Sequence, residues 1–284
     1  MTTDPERPYI SAGELRRELS ARNLIRAQRV FHEATFGSVP SVIYAEDRDG
    51  AGHGNFLRAS YRRILADAGW LGRFDKEYTA GKRVARQHDR RRSELDCANS
   101  SDALLMNVFC YPGMTRRPGL CRLLGLEPGL RPEFGLRVQV PLTRGGVDRT
   151  EVDMQLGEYL VEAKLTETGF QQARPALVDR YRDLLDIFEM ERLPRAGEGA
   201  SAPYAEYQLV RRVLAAHARG QRFLVLCDGR RGEMIESWFR VMQAVRHSEL
   251  RSRLRLLTWQ EISADVPTAV RTFLAEKYGI CPSI

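Results

Sequence analysis

The stretch from Glu151 to Lys164 constrains the fold of this chain more than any other. It reads EVDMQLGEYLVEAK, in which polar and apolar residues alternate before Gly157 and the apolar run Tyr159-Leu160-Val161 follows it. A period of two is typical of a strand, and glycine in the first central position is typical of a type II′ turn. The pattern therefore predicts a two-stranded hairpin in which Leu156 pairs with Tyr159.

The predicted pairing determines which side chains share a face of the hairpin. Counting outward from the turn, Asp153 lies opposite Glu162 and Glu151 lies opposite Lys164. Strand side chains alternate between faces, so the charged residues share one face, and the other face is apolar: Val152, Met154, Leu156, Tyr159, Val161 and Ala163. Directly opposed side chains lie about 4.5–5.5 Å apart, where like charges destabilise a sheet. Two opposed carboxylates therefore require a cation, and a hard divalent ion such as Mg²⁺ prefers oxygen ligands.

The lysine of this hairpin is unusual for the composition of the chain. A solvated hairpin face can also carry two acids and a lysine, because charged side chains prefer the surface. However, only four of the 44 basic residues are lysines, namely Lys76, Lys82, Lys164 and Lys277, and the others are arginines. Lys164 is the one lysine with an acid two positions before it. A compact, titratable ammonium at this position favours a chemical site over a solvated face.

The order of these residues resembles a known motif. Asp153, eight further residues and then Glu162-Ala163-Lys164 are similar to the core motif of the PD-(D/E)XK nuclease superfamily, and the resemblance covers roughly residues 95 to 260. Val152 replaces the proline of that motif, and no Gln-x-x-x-Tyr pattern follows, since Leu177 stands four residues before Tyr181. The resemblance implies an α/β fold with an αβββαβ restriction-endonuclease-like core, in which helices flank a mixed central sheet.

The resemblance also implies the chemistry of the site. Asp153, Glu162 and the main-chain carbonyl of Ala163 would bind Mg²⁺, with Mn²⁺ as a substitute, and Lys164 would be the catalytic lysine. The implied activity is metal-dependent hydrolysis of phosphodiester bonds in DNA, in restriction, defence or repair. Three further acids are candidate supporting residues: Glu151, Glu94 and Glu167. For Glu151, an ion pair that holds the lysine is the alternative role. Asp102 is a further candidate, but an acid there is better explained by the favourable helix dipole in the first turn of a helix.

The charge of the chain favours an anionic partner. A net charge of +7 and an isoelectric point near 9.3 are typical of proteins that bind nucleic acid. Candidate phosphate contacts are Arg90, Arg91, Arg92, Arg230 and Arg231, although a solvated face is the alternative in a chain so rich in arginine. Cleavage of both strands would favour a homodimer. Two other functions stay open: a catalytically silent nucleic-acid-binding or assembly module of the same fold, and an RNA nuclease.

The remaining pattern predicts two regions. Residues 1–94 form a mainly helical N-terminal extension with a basic linker, and residues 95–284 form the nuclease core. Predicted helices span 12–36, 56–68, 103–109, 119–124, 176–189, 204–218, 231–246 and 266–278. Predicted strands span 41–45, 134–141, 222–227 and 254–258, besides the hairpin.

The sequence also bounds the cellular context. The five cysteines show no C-x-x-C spacing, which favours reduced, packed thiols over a zinc site or a disulfide framework. The N-terminal residues lack the pattern of a signal peptide, and no apolar run reaches the length of a membrane span. We therefore expect a cytoplasmic protein that does not enter a membrane.

Overall fold

A computed structural model describes residues 9–37, 39–77 and 93–282 of the chain. Its elements are α1 (Ala12–Ala27), β1 (His32–Thr35), β2 (Val42–Tyr44), α2 (Arg58–Leu65), α3 (Ala68–Leu71), α4 (Ser101–Phe109), α5 (Pro118–Leu124), β3 (Glu133–Pro141), β4 (Val147–Leu156), β5 (Tyr159–Ala163), α6 (Pro175–Val178), α7 (Leu184–Ile187), α8 (Tyr207–Arg219), β6 (Arg222–Cys227), α9 (Gly232–Ala244), α10 (Ser248–Ser252), β7 (Leu254–Thr258), α11 (Trp259–Ser263) and α12 (Thr268–Tyr278). Single 3₁₀ turns occupy Gly72–Asp75, Glu94–Asp96 and Met114–Arg116.

The chain divides into two compact units. Within the described residues, the sheet unit comprises 9–10, 135–162 and 167–257, and the helical unit comprises 11–134, 163–166 and 258–282 apart from the same gaps. Each unit is therefore assembled from segments that are distant in sequence. Helices α4 and α12 belong to the same unit as α1.

The sheet unit contains a mixed five-stranded sheet in the order β3-β4-β5-β6-β7. Strand β6 begins level with the start of β5, because the amide of Arg222 donates to the carbonyl of Glu158. Strand β7 begins level with β6, because the amide of Phe223 donates to the carbonyl of Arg253. All five residues of β5, the central strand, are buried. Helix α8 packs on β6. A mixed sheet with flanking helices confirms the predicted fold class.

Buried strands were predicted more accurately than helices. Strands β6 and β7 have the predicted bounds, because a short apolar run between turn signals is typical of a buried strand. The predicted helix 176–189 is wrong. The chain there forms two short helices, and between them Arg182 donates its amide to Pro141 while Arg180 accepts from Thr143. These main-chain groups pair with the last residue of β3 and with Thr143 just after it, so they cannot bond within a helix.

The helical unit combines segments from both ends of the chain. Helix α1 packs against α12, and it begins with a capping box between Ser11 and Glu14. The predicted helix 12–36 is wrong beyond Ala27, because the chain turns into β1, which pairs with β2. The polar stretch of β1 lacks the apolar alternation that identifies a strand.

A fully buried lysine lies in the helical unit. The ammonium of Lys277 donates to the carbonyl of Ala98 at 2.9 Å. It also lies 3.9 Å from the ring centroid of Tyr278 and 5.6 Å from that of Tyr44. Burial holds the pKa of Lys277 well below its ordinary value, and the charge of Arg26 lowers it further.

Candidate active site

The hairpin forms with the predicted register near its turn. Leu156 pairs with Tyr159, Gln155 with Leu160, and Met154 with Val161. Gly157 has a φ of 56°, whereas Glu158 is not among the residues with positive φ, as a type II′ turn requires. The turn prediction is therefore confirmed. The paired residues end at Met154 and Val161, one position before Asp153 and Glu162.

Beyond these pairs the strict alternation breaks. Val152 packs in the same core as Leu160, and one guanidinium contacts both Thr150 and Glu162. Strict alternation from Met154 would place Val152 and Thr150 on the face opposite to Leu160 and Glu162. Such interruptions bend a strand and redirect a side chain, and Asp153 lies at this point, half-buried. The described pairs do not reach Asp153 and Glu162 or Glu151 and Lys164, so the direct opposition of these residues stays a prediction.

The carboxylate of Glu162 is buried and held by two side chains of α8. Its relative exposure is 1 %. Nε of Arg212 donates to Oε2 at 2.8 Å, and Nε2 of Gln208 donates to Oε1. The two donors stand four residues apart, on one side of the helix. Each carboxylate oxygen therefore receives a bond from α8.

Arg212 also binds the neighbouring strand. Its Nη1 donates to Oγ1 of Thr150, and its Nη2 donates to the carbonyl of Glu151. The residue itself is 4 % exposed. One guanidinium thus connects β4, two residues before Asp153, to the carboxylate of Glu162 on β5. Gln208 and Arg212 are not among the residues predicted from the sequence. Their four-residue spacing, which places two side chains on one side of a helix, is the signal that points to them.

The residues that follow Glu162 belong to the helical unit. Ala163 and Lys164 are buried, with relative exposures of 1 % and 7 %. The indole of Trp259 donates to the carbonyl of Lys164 at 3.2 Å. Two nitrogens of Arg16 donate to the carbonyl of Thr166 at 3.0 and 2.8 Å. The main chain at the lysine and just after it is therefore held by two side chains.

The supporting acids occupy different positions. Glu151 and Glu167 are both half-buried. The carbonyl of Glu151 accepts from Arg212, and that of Glu167 accepts from Arg231. In the helical unit, Glu94 begins a 3₁₀ turn.

Asp102 lies in the first turn of α4, as the sequence predicts. It forms ion pairs with Arg73 at 2.7 Å and Lys76 at 2.6 Å. Its environment is therefore that of a buried structural carboxylate.

The two described arginines of the candidate phosphate contacts are engaged within the sheet unit. Arg230 forms an ion pair with the buried carboxylate of Asp228 at 2.7 Å. Arg231 is fully buried, and its guanidinium contacts Glu233 and the carbonyl of Glu167. A phosphate at Arg231 would require this side chain to leave its partners. The other candidates, Arg90, Arg91 and Arg92, lie outside the described residues.

The donor set at the hairpin fits a hard divalent cation. Mg²⁺ usually binds to one or two carboxylates and keeps several waters. Asp153 is half-buried on β4, and the carboxylate of Glu162 is held by Gln208 and Arg212. The described residues contain no cluster of three or more His, Cys, Asp and Glu side chains that could hold a metal. A pair of carboxylates with a carbonyl ligand is smaller than such a cluster.

Comparisons with known proteins place the chain in a family. Within the described ranges, no helix is long and apolar enough to cross a membrane. A family model described as "Restriction Endonuclease associating with ARP" matches residues 26–279. Searches of curated proteins and of solved structures gave no significant match. The family match includes the hairpin, α8 and the strands on either side of them, so it covers the geometry described above. The chain belongs to the family of restriction endonucleases associating with ARP.

Proposed function

We propose that this protein is a metal-dependent nuclease that hydrolyses phosphodiester bonds in DNA, with its chemistry at the β4–β5 hairpin. Family membership indicates a nuclease and nucleic acid as the substrate class. The observation that supports the position of the site is the Glu162 carboxylate, which is buried yet held in one orientation by Gln208 and Arg212. Burying a carboxylate is costly, so its place beside Asp153 and Lys164 in sequence favours a functional role.

The carboxylates of Asp153 and Glu162 would bind the ion, together with the carbonyl of Ala163. Mg²⁺ is the ion we propose, and Mn²⁺ is expected to replace it. When bound, the ion supplies Lewis-acid chemistry, because it neutralises charge on the phosphate and makes water more acidic. Hydrolysis forms a bond between a water oxygen and phosphorus and breaks a bond from phosphorus to an ester oxygen.

The side chains of the motif perform the remaining tasks. Lys164 would hold the attacking water or the scissile phosphate through its ammonium, which donates three hydrogen bonds. Arg212 and Gln208 keep Glu162 in one rotamer, so that no reorganisation is needed when substrate binds. The Trp259 indole fixes the main chain at Lys164. A positioned set of this kind lowers the barrier because the orientation entropy is already lost.

Cleavage assays test the proposal directly. Plasmid, linear duplex, single-stranded DNA and a matched RNA are incubated with the protein and Mg²⁺ or Mn²⁺. We expect cleavage of at least one DNA substrate and loss of cleavage in Lys164→Ala. Glu162→Gln, which changes a proposed metal ligand, has Glu158→Gln as its matched control. Glu158 lies at the exposed hairpin turn, and its described side-chain contact is a surface ion pair with Arg222.

The assay also separates the alternatives. Preferential cleavage of RNA would identify an RNA nuclease. Binding that depends on salt but is indifferent to metal and to Asp153→Ala would identify a silent nucleic-acid-binding module. Equal cleavage by wild type and Lys164→Ala would refute the role of the lysine. Cutting of both strands at one site would be expected of a homodimer, which analytical ultracentrifugation at the assay concentration detects.

A further inference from the structure

Arg212 joins both strands of the hairpin through one guanidinium. Its three donating nitrogens have three different acceptors: Glu162 on β5, and Thr150 and the carbonyl of Glu151 on β4. The side chain comes from α8 and is almost fully buried. A guanidinium can serve three acceptors in one plane, whereas an ammonium is a compact point charge. The arrangement therefore depends on arginine and not only on a positive charge.

Stability alone is a weak reason for this arrangement. Removing a buried ion pair in favour of packed apolar residues is often neutral or stabilising, because desolvation offsets the attraction. What the pair does provide is geometry. It fixes the rotamer of Glu162, and it ties the strand just before Asp153 to the same point. The separation of the two carboxylates is thus controlled by a residue that lies outside the motif.

We propose that Arg212 is the positioning residue of this site, acting through Glu162 and the main chain next to Asp153 to set the metal affinity. This inference rests on the proposed function. Groups that orient metal ligands typically affect metal affinity by about 10- to 100-fold. Arg212 carries that role here, and Gln208 supports it by binding the other oxygen of Glu162.

The next residue on the helix provides a matched control. Arg211 lies beside Arg212 on α8, and it also donates to a carboxylate and to a main-chain carbonyl of β4, those of Asp148 and Arg149. Its described hydrogen bonds go to Asp148 and Arg149 and not to Glu162. Arg211→Lys and Arg212→Lys therefore make the same chemical change in two similar settings, of which one belongs to the proposed site.

The test measures Mn²⁺ binding to the full chain without substrate, by isothermal titration and by the electron paramagnetic resonance signal of free Mn²⁺. Arg212→Lys is expected to weaken binding by about tenfold or more, and Arg211→Lys is expected to leave it unchanged. With DNA present, the Mg²⁺ concentration for half-maximal cleavage should rise in Arg212→Lys, while the rate at saturating Mg²⁺ recovers toward wild type. Thr150→Val keeps the shape of the side chain at position 150 and leaves the pair between Arg212 and Glu162 intact, but removes the acceptor of Nη1 of Arg212. If Arg212→Lys does not fold, a smaller loss of Mn²⁺ affinity in Thr150→Val supports the inference.

The possible results separate the inference from the function beneath it. If wild type binds Mn²⁺ and both Arg212→Lys and Thr150→Val bind it equally well, Arg212 is not a positioning residue, although the proposed function stands. If Arg211→Lys and Arg212→Lys lose affinity equally, the effect is a general one of the helix and the inference is overturned. If wild type binds no Mn²⁺ and cleaves nothing, the proposed function fails and the inference fails with it.

Discussion

Replacing the buried Lys277 by methionine should change how the stability of the protein depends on pH. In the unfolded chain the amine has a pKa of about 10.4, so it is protonated at neutral pH. In the folded protein, burial and the charge of Arg26 hold the pKa well below that value. The unfolded state therefore binds one more proton, and the free energy of unfolding must rise with pH. The low pKa makes this contribution destabilising at neutral pH.

The magnitude follows from proton linkage. Between the folded and unfolded pKa values, one proton gives a slope of about 1.4 kcal/mol per pH unit. From pH 7 to pH 9 this slope sets an upper limit of about 3 kcal/mol on the change in the free energy of unfolding. The aromatic rings of Tyr44 and Tyr278 favour the ammonium by only about 0.5–2 kcal/mol. The described residues include no ion pair between Lys277 and a carboxylate, so desolvation wins.

The assay is urea unfolding of wild type and Lys277→Met at several pH values between 7 and 9. Methionine keeps the length of the side chain but leaves the carbonyl of Ala98 without its donor, which costs about 1–3 kcal/mol at every pH. The difference in slope is therefore the informative quantity, and other titrating groups cancel in it. Parallel stability curves for the two proteins would refute the reasoning.

Three other predictions concern the sheet unit and the partner. Glu162→Gln leaves Arg212 as a buried, uncompensated charge and should lower the free energy of unfolding by about 3–5 kcal/mol in urea titrations; an unchanged midpoint would contradict a buried pair. Burial raises the pKa of Asp148, but hydrogen bonds from Arg211 and Tyr181 outweigh it and hold the pKa below its ordinary value. The stabilisation is present above about pH 4 and is lost as pH falls through the folded pKa, so Asp148→Asn should flatten acid unfolding followed by circular dichroism. DNA affinity should fall steeply between 50 and 200 mM salt in a fluorescence anisotropy titration, as counterion release requires, and a salt-independent affinity would argue against phosphate contacts.

The parts of the fold that the sequence predicts well are those with one dominant signal. The II′ turn depends on Gly157 alone, and β6 depends on a continuous apolar run. The break in alternation near Asp153 could not be predicted, because counting from a turn assumes that every residue advances the strand by one position. The pattern of 176–189 was helical, yet pairing of Arg182 with Pro141 overrode that local preference.

The sequence identifies the candidate carboxylates but not the two residues of α8 that hold Glu162. Asp153, Glu162 and Lys164 stand out because two acids and a rare lysine occur at hairpin spacing. Arg212 does not stand out, since almost every basic residue of the chain is an arginine and any of them could face solvent. Only the folded chain identifies which arginines are buried, Arg212 among them.

The helical unit combines segments from both ends of the chain, and this affects the order in which the two units fold. Domains generally fold as units during synthesis, from the N-terminus onward. The strands that carry Asp153 and Glu162 are complete once β7 has emerged from the ribosome, whereas α1 must wait for α12 to find its packing partner. Lys164 belongs to that later unit and takes the indole bond of Trp259. A chain that stops before Thr268 would therefore contain every strand of the sheet unit but lack α12, the packing partner of α1.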